Sequence, residues 1–327
     1  MAILAINLDV NMMLNVVLAL IMFGLGLGLK KSDFQQLFDQ PKSLAVGLFS
    51  QMILLPLFAL LILKLSPDIV PTLGEKAGGG VNGGAGVWQH LSPEYRIGIL
   101  ILSVCPGGIT SNLVSYFVKG NVALAVSLTV SNALLSLLSI PLLVNLFLWM
   151  EMPQTYGASM DVALPFWGTL FDIFIITIIP AILGMAWRYK MGKNVYGLTK
   201  TVNFVLPVLL LVVFMAKFLG AGSSGGAMKS ADILMLAPYV ILLNIGSMLL
   251  GFLAGFIFRL SIPNRITIAI EVGLHNTALA LLIAGDKLQN SAMEKPALVY
   301  AMFSFVITFG VAFLLVKIYH RWMEEPQ

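Results

Sequence analysis

The chain has 327 residues, of which 59% are apolar and only 10% charged, with a mean hydropathy of +0.95. A soluble domain carries about 25% charged residues, so this composition excludes a water-facing surface over most of the molecule. The single cysteine, Cys105, excludes an internal disulfide, and the net charge of +4 comes from scattered lysines and arginines rather than a patch, which excludes a nucleic-acid surface.

A membrane-crossing helix needs about 20 mostly apolar residues. Nine such runs follow one another, at 11–29, 43–64, 96–117, 121–149, 164–187, 200–219, 231–259, 265–285 and 296–319. No segment alternates apolar and polar residues as a membrane barrel requires. The reading is an all-α integral membrane protein with nine transmembrane helices in one transporter domain, 1–327. The start does not resemble a signal peptide, since Asp9 is the first charge and Lys30–Lys31 follow the apolar run. Two glycine-rich stretches, 74–88 and 220–229, fall between spans. The first holds a formal G-x-G-x-x-G at Gly78, Gly80 and Gly83, but no strand precedes it, so it reads as a flexible linker.

Loops at alternate ends of the spans differ in positive charge. One set holds twelve lysines and arginines, the other seven. The richer set is cytoplasmic by the positive-inside rule, which places the N-terminus outside and the C-terminus inside a cell membrane. An odd number of spans requires the same.

Two spans carry residues that do not belong in lipid. In span 3, Pro106 removes a backbone N–H and Gly107–Gly108 loosen the helix, so the span is expected to break before Thr110, Ser111 and Asn112. In span 8, Glu271 lies among apolar residues, followed by Gly273, His275 and Asn276. An acid at mid-membrane costs on the order of 3 kcal/mol, so Glu271 needs a cation, a hydrogen-bond partner or water. Two broken spans, each followed by one more span to the end of its half, predict an inverted repeat in which spans 1–4 match 6–9. The exposed N–H groups starting each second half-helix favour an anion. The loosened carbonyls and Glu271 favour a small hard cation. Asn132, Asn244 and Ser247 have two readings, as cavity lining or as hydrogen-bonding residues between helices; Asn244 is placed with the substrate-binding candidates. His90 and His320 read as solvated.

"CPGGITSN" (105–112), "GNVALAVSLT" (120–129) and "EVGLHN" (271–276), in this order, resemble the bile acid:sodium symporter family. "MFGLGLGLKKSDF" (22–34) and "SQMILLP" (50–56) extend the resemblance over nearly the whole chain, in what looks like the nine-span form of a bacterial member. The resemblance implies that spans 3 and 8 cross. It also implies a core from 43–149 and 231–319, working against a panel from 11–29 and 164–219. It further implies one sodium site at Ser111, Asn112, Thr129 and Glu271, and a second at Gln51, Glu271, the carbonyls of Val272 and Leu274, and His275. Thr110 and Asn276 are implied to meet the substrate.

This chain departs from the family pattern in three places. Ala125 replaces a serine ligand of the first site, and Ser127 points to the far face, because two residues along a helix is about 200° of rotation. His275 replaces a glutamine of the second site, and Ile109 replaces a threonine at the substrate end. The expected function is sodium-coupled import of an organic anion such as a bile acid or small carboxylate. The alternative is proton coupling, or mixed sodium and proton coupling, because histidine can change charge near neutral pH. No HExxH, Cys/His pair or serine–base arrangement suggests an enzyme. The expected partners are the organic anion, sodium ions and the lipid bilayer, with no nucleic acid, no obligate protein partner and no cofactor beyond the coupling ions.

Overall fold

The computed structural model describes residues 10–30, 39–69, 91–151, 163–192, 195–220 and 227–324. All nine apolar runs are helical within them. Helix α1 is Val10–Gly28. Helix α2 runs from Pro41–Phe49 through a π-helical turn, Ser50–Leu54, into Leu55–Ile69. Run 3 is divided into α3, Pro93–Val104, and α4, Ile109–Phe117. Helix α5 is Val122–Glu151, and α6 passes from Phe166–Ile173 through a π-helical turn, Phe174–Ile178, into Ile179–Met191. Helix α7 is Val195–Phe218 and α8 is Ser230–Ile257. Run 8 is divided into α9, Ile262–Gly273, and α10, Thr277–Leu281, which continues through a π-helical stretch, Leu282–Lys287. Helix α11 is Ser291–Glu324. Six helices, α1, α2, α5, α6, α8 and α11, are individually long and apolar enough to cross a membrane. The linker expected at 74–88 and most of that at 220–229 lie outside the described residues.

Local sequence explains where the helices bend or stop. Both π-helical turns inside long helices immediately precede a proline helix turn, Pro56 in α2 and Pro180 in α6. A proline ring clashes with the carbonyl four residues back, and widening the preceding turn relieves that clash. Helix α3 starts where Ser92 accepts from the Tyr95 N–H and Pro93 needs no partner for its missing donor. It stops at Val104 because Pro106 has no N–H to continue the ladder.

Helix α1 packs on both α6 and α7, and α2–α5 and α8–α11 form a second, larger group. Close approach in the first group depends on glycine. A Cβ at Gly26 would collide with the Ala181 carbonyl, and one at Gly184 with the Phe23 carbonyl. In the larger group, Arg96 of α3 makes a two-pronged ion pair with Glu151 of α5, at 2.6 and 3.0 Å, and reaches the Leu63 carbonyl of α2. Asp232 of α8 accepts from Tyr95 of α3 at 2.8 Å and from Lys295 of α11 at 2.8 Å. At the opposite end, Asn264 bonds Gln40, Ser43 and Asn121, tying α9 to the starts of α2 and α5.

Candidate ion and substrate site

The two breaks meet. Gly107 and His275 form an isolated antiparallel bridge, and the Asn276 N–H donates to the Pro106 carbonyl at 2.7 Å. Each broken segment therefore satisfies backbone groups of the other, as buried non-helical backbone must. Contact this close requires glycine at position 107, since a Cβ there would sit 2.7 Å from Glu271 Oε2 and 3.3 Å from the Glu271 carbonyl.

Glu271, on the last turn of α9, is 1% exposed. The Ser111 and Thr129 hydroxyls face its carboxylate. Thr129 Oγ1 lies 3.2 and 3.4 Å from the carboxylate oxygens, 3.4 Å from Asn112 Oδ1 and 3.0 Å from the Ala125 carbonyl. Among the described residues, no lysine, arginine or histidine forms an ion pair with Glu271. The Ser111 hydroxyl also donates to the Gly108 carbonyl at 2.6 Å. Each hydroxyl has one proton. With those protons on Gly108 and Ala125, the hydroxyl lone pairs and the carboxylate converge with nothing positive between them. That donor set suits a hard cation. Ser111, Asn112, Thr129 and Glu271 are thus brought together, while Ser127 points elsewhere, buried with its hydroxyl unpartnered.

The residues of the second group are arranged differently. Gln51, on the π-helical turn of α2, donates from Nε2 to the Cys105 carbonyl at 3.2 Å, and its buried Oε1 has no partner. His275 Nε2 is 2.9 Å from the Val272 carbonyl, so Nε2 carries the proton and donates. The imidazole stacks on Tyr300, with centroids 5.0 Å apart, and leaves buried Nδ1 without a partner. The ring forms no ion pair with Glu271.

Asn276 caps α10, its Oδ1 accepting from the Leu279 N–H at 3.1 Å. In α4 the N-cap is Gly108, and Asn112 lies inside the first turn facing Thr129. Thr110 and Asn276 line a cavity of about 310 Å³ between α1 and α7 on one side and α4, α10 and α11 on the other. Thr277 and Ser304 add hydroxyls, while Ile21, Leu206, Leu210, Phe214 and Phe305 make most of the wall apolar.

Asn244, placed with the substrate-binding candidates, is not brought to the cavity. It is fully buried, and Nδ2 lies 2.6 Å from the Gly273 carbonyl, 2.9 Å from the Tyr300 hydroxyl and 3.0 Å from Thr308 Oγ1. The Tyr300 hydroxyl donates to the same Gly273 carbonyl. Asn244 and Tyr300 hold the last carbonyl of α9 after its helical partner is lost at the break. The only sequence pointer to Tyr300 is a tyrosine in mid-span, whose hydroxyl must find a partner when buried.

Buried oxygens surround a carboxylate without an ion-pair partner among the described residues, beside a largely apolar cavity with two half-helix starts, an arrangement whose chemistry suits a cation and an organic anion. The sequence profile of the Sodium Bile acid symporter family matches residues 15–225. The chain belongs to that family. The family is one of transporters, not enzymes, and its members are sodium-dependent and span the membrane many times. The chain is 28% identical to the uncharacterized sodium-dependent transporter YocS of Bacillus subtilis, over 83% of this chain and 73% of that one. It is also 28% identical to the probable chloroplastic sodium/metabolite cotransporter BASS1 of Arabidopsis thaliana, over 86% of this chain and 61% of that one. The human ileal sodium/bile acid cotransporter is 24% identical over 85% of this chain and 70% of its own length. The chain thus spans less than two thirds of the chloroplast relative.

Proposed function

We propose that the protein is a sodium-coupled symporter that imports an organic anion. The observation that carries this reading is Glu271, buried without a counter-cation and faced by Thr129, Ser111 and Asn112 at the crossing of the two breaks. A buried carboxylate is costly unless paired, and a sodium ion supplies the missing charge. Bound sodium holds the break together and fixes the adjoining start of α10. There Asn276 keeps its Nδ2 donor for the substrate's anionic group, with Thr110 opposite. The apolar wall receives the rest of the substrate, so the reading is an anion with an apolar body, such as a bile acid or a small carboxylate.

The chain crosses the cell membrane nine times in this reading, with its N-terminus outside. A bacterial inner membrane is proposed from the likeness to YocS. Spans 1–4 and 6–9 form inverted halves. The core (43–149 and 231–319) moves against the panel (11–29 and 164–219), exposing the crossing to each side in turn.

One observation favours a coupling that differs from two sodium ions. The Val272 carbonyl, an expected ligand of the second site, already accepts from His275. The imidazole occupies that place as a neutral donor, and a proton added at Nδ1 would be buried without an acceptor. We infer coupling to one sodium ion, with the mixed sodium and proton scheme as the second reading. Uptake into proteoliposomes under an imposed sodium gradient or an imposed proton gradient tests both. Concentrative uptake driven by sodium alone is expected; accumulation driven by protons without sodium would overturn the reading.

A further inference from the structure

Lys217 lies near the end of α7, inside an apolar helix, yet its side chain is 0% exposed and its partner Glu294 4%. Lys217 Nζ bonds both Glu294 Oε1 of α11 and Asn11 Oδ1 of α1, each at 2.5 Å. Two members of this cluster belong to the panel, and Glu294 belongs to the core. The cavity stops just short of it. Phe214, on the cavity wall, is three residues before Lys217, and Ala301 is seven after Glu294, so the cluster lies about 5–10 Å beyond the cavity along those helices.

A second ion pair joins the same two units at the same end. Lys287, closing the π-helical stretch of α10, is 2.6 Å from Asp172 of α6. Of the ion pairs among the described residues, these two are the ones that link panel to core; Arg96–Glu151 and Lys295–Asp232 lie within the core. Both linking pairs meet α10. Lys287 is its last residue, and Gly285 packs so tightly on the Glu294 carboxylate that a Cβ would collide with it. The other end of α10 carries Asn276 at the crossing. One short helical piece therefore touches the substrate site at its start and both ion pairs at its end.

We propose that the Lys217–Glu294–Asn11 cluster, with Lys287–Asp172 at its edge, is the gate that closes this end of the cavity, and that α10 connects it to the substrate site. By the distribution of positive charge, this is the outer end. The gate rests on the transport reading, because a core that never moved would need none. Water competes well with an exposed pair and poorly with a buried one, so Lys217–Glu294 carries the closure and Lys287–Asp172 trims it. Opening requires both buried charges to be rehydrated together, which makes the gate two-state rather than gradually leaky.

The test is access to a reporter in the cavity wall. Leu210→Cys, in a Cys105→Ala background, is labelled in sealed vesicles with a membrane-impermeant methanethiosulfonate applied from either side. With the gate intact, labelling from the gated side is expected to be slow. Glu294→Gln keeps the side chain's size while removing its charge, and Lys217→Glu sets two carboxylates against each other. Each is expected to raise the labelling rate from the gated side at least tenfold. Unchanged rates from that side in both variants, with labelling from the other side at its original rate to show a folded protein, would overturn the gate. If Lys217→Glu does not fold, Glu294→Gln alone decides by the same criterion. Labelling needs neither sodium nor substrate, so failure of the gate and failure of the transport reading are separate results.

Discussion

Glu271 combines a charge that lipid cannot solvate with the absence of any ion-pair partner among the described residues. Glu271→Gln retains shape and hydrogen bonding to Thr129, so the fold should survive. Losing one carboxylate–cation interaction readily costs about 1.4 kcal/mol, a factor of ten. Sodium-dependent uptake is therefore expected to fall at least tenfold in vesicles containing equal amounts of protein. His275 makes the complementary case. His275→Gln removes the ring from the Val272 carbonyl and supplies an amide oxygen, so a second cation becomes bindable. The Hill coefficient for sodium should rise from about one toward two, at both about pH 6 and about pH 8, which bracket the ordinary imidazole range. A wild-type coefficient near two at both pH values would exclude a single coupled sodium. Much of this was legible at the residue scale, because an acid and a Pro-Gly-Gly run are conspicuous among aliphatic side chains. The role of Asn244 was not. Choosing between cavity and brace depends on the direction its helix face points, and that is settled by neighbours far away in sequence, Tyr300 and Thr308.

The half-helices divide their work at the level of elements. Asn276 is both the cap of α10 and a donor at the cavity, and substitution can separate these roles. Aspartate caps a helix about as well as asparagine, so Asn276→Asp should leave thermal stability nearly unchanged. It also puts a negative charge beside the substrate's own, so apparent substrate KM should rise at least tenfold while sodium affinity changes far less. Equal weakening of both would place the substrate elsewhere in the cavity. Gly107→Ala tests the crossing itself. Its methyl group would meet Glu271 Oε2 and two carbonyls at 2.7–3.4 Å, and overpacking of this kind typically costs 1–3 kcal/mol. Expression at near-normal levels with sodium-dependent uptake abolished is the expected result. The positions of both breaks could be read from Pro106 and Gly273. The different capping of their second halves could not, because it depends on backbone angles that "GITSN" and "HNTAL" do not announce.

For the molecule as a whole, the nine apolar runs read from hydropathy are helical among the described residues, two of them divided, yet hydropathy misjudged the charges at their ends. Lys217 is one of the seven lysines and arginines counted for the loops with less positive charge; the folded chain draws it into α7 and buries it on Glu294. A sliding window sees one unfavourable residue and has no means of finding its partner 77 positions away. The close packing of α1 on α6 was equally hidden, since "MFGLGLG" does not state that Gly26 lies against Ala181, or that Gly184 lies against Phe23. Gly184→Val should push α1 from α6 and lower the melting temperature of the detergent-solubilised protein by several degrees, with Gly168→Val, where only ordinary contacts await a Cβ, as the tolerated control.

Helix α5 carries a further consequence. Its 30 residues, mostly apolar, extend about 45 Å, whereas a typical hydrocarbon layer is about 30 Å thick. A helix this long tilts, kinks at Pro141 or draws thicker lipid around itself. Because α5 supplies Thr129, the angle it takes in the bilayer bears on the geometry around Glu271. With sodium bound there as proposed, acyl-chain length becomes a control on sodium affinity, and reconstitution across a series from short-chain to long-chain phosphatidylcholines should reveal an optimum set by the membrane rather than by the ion.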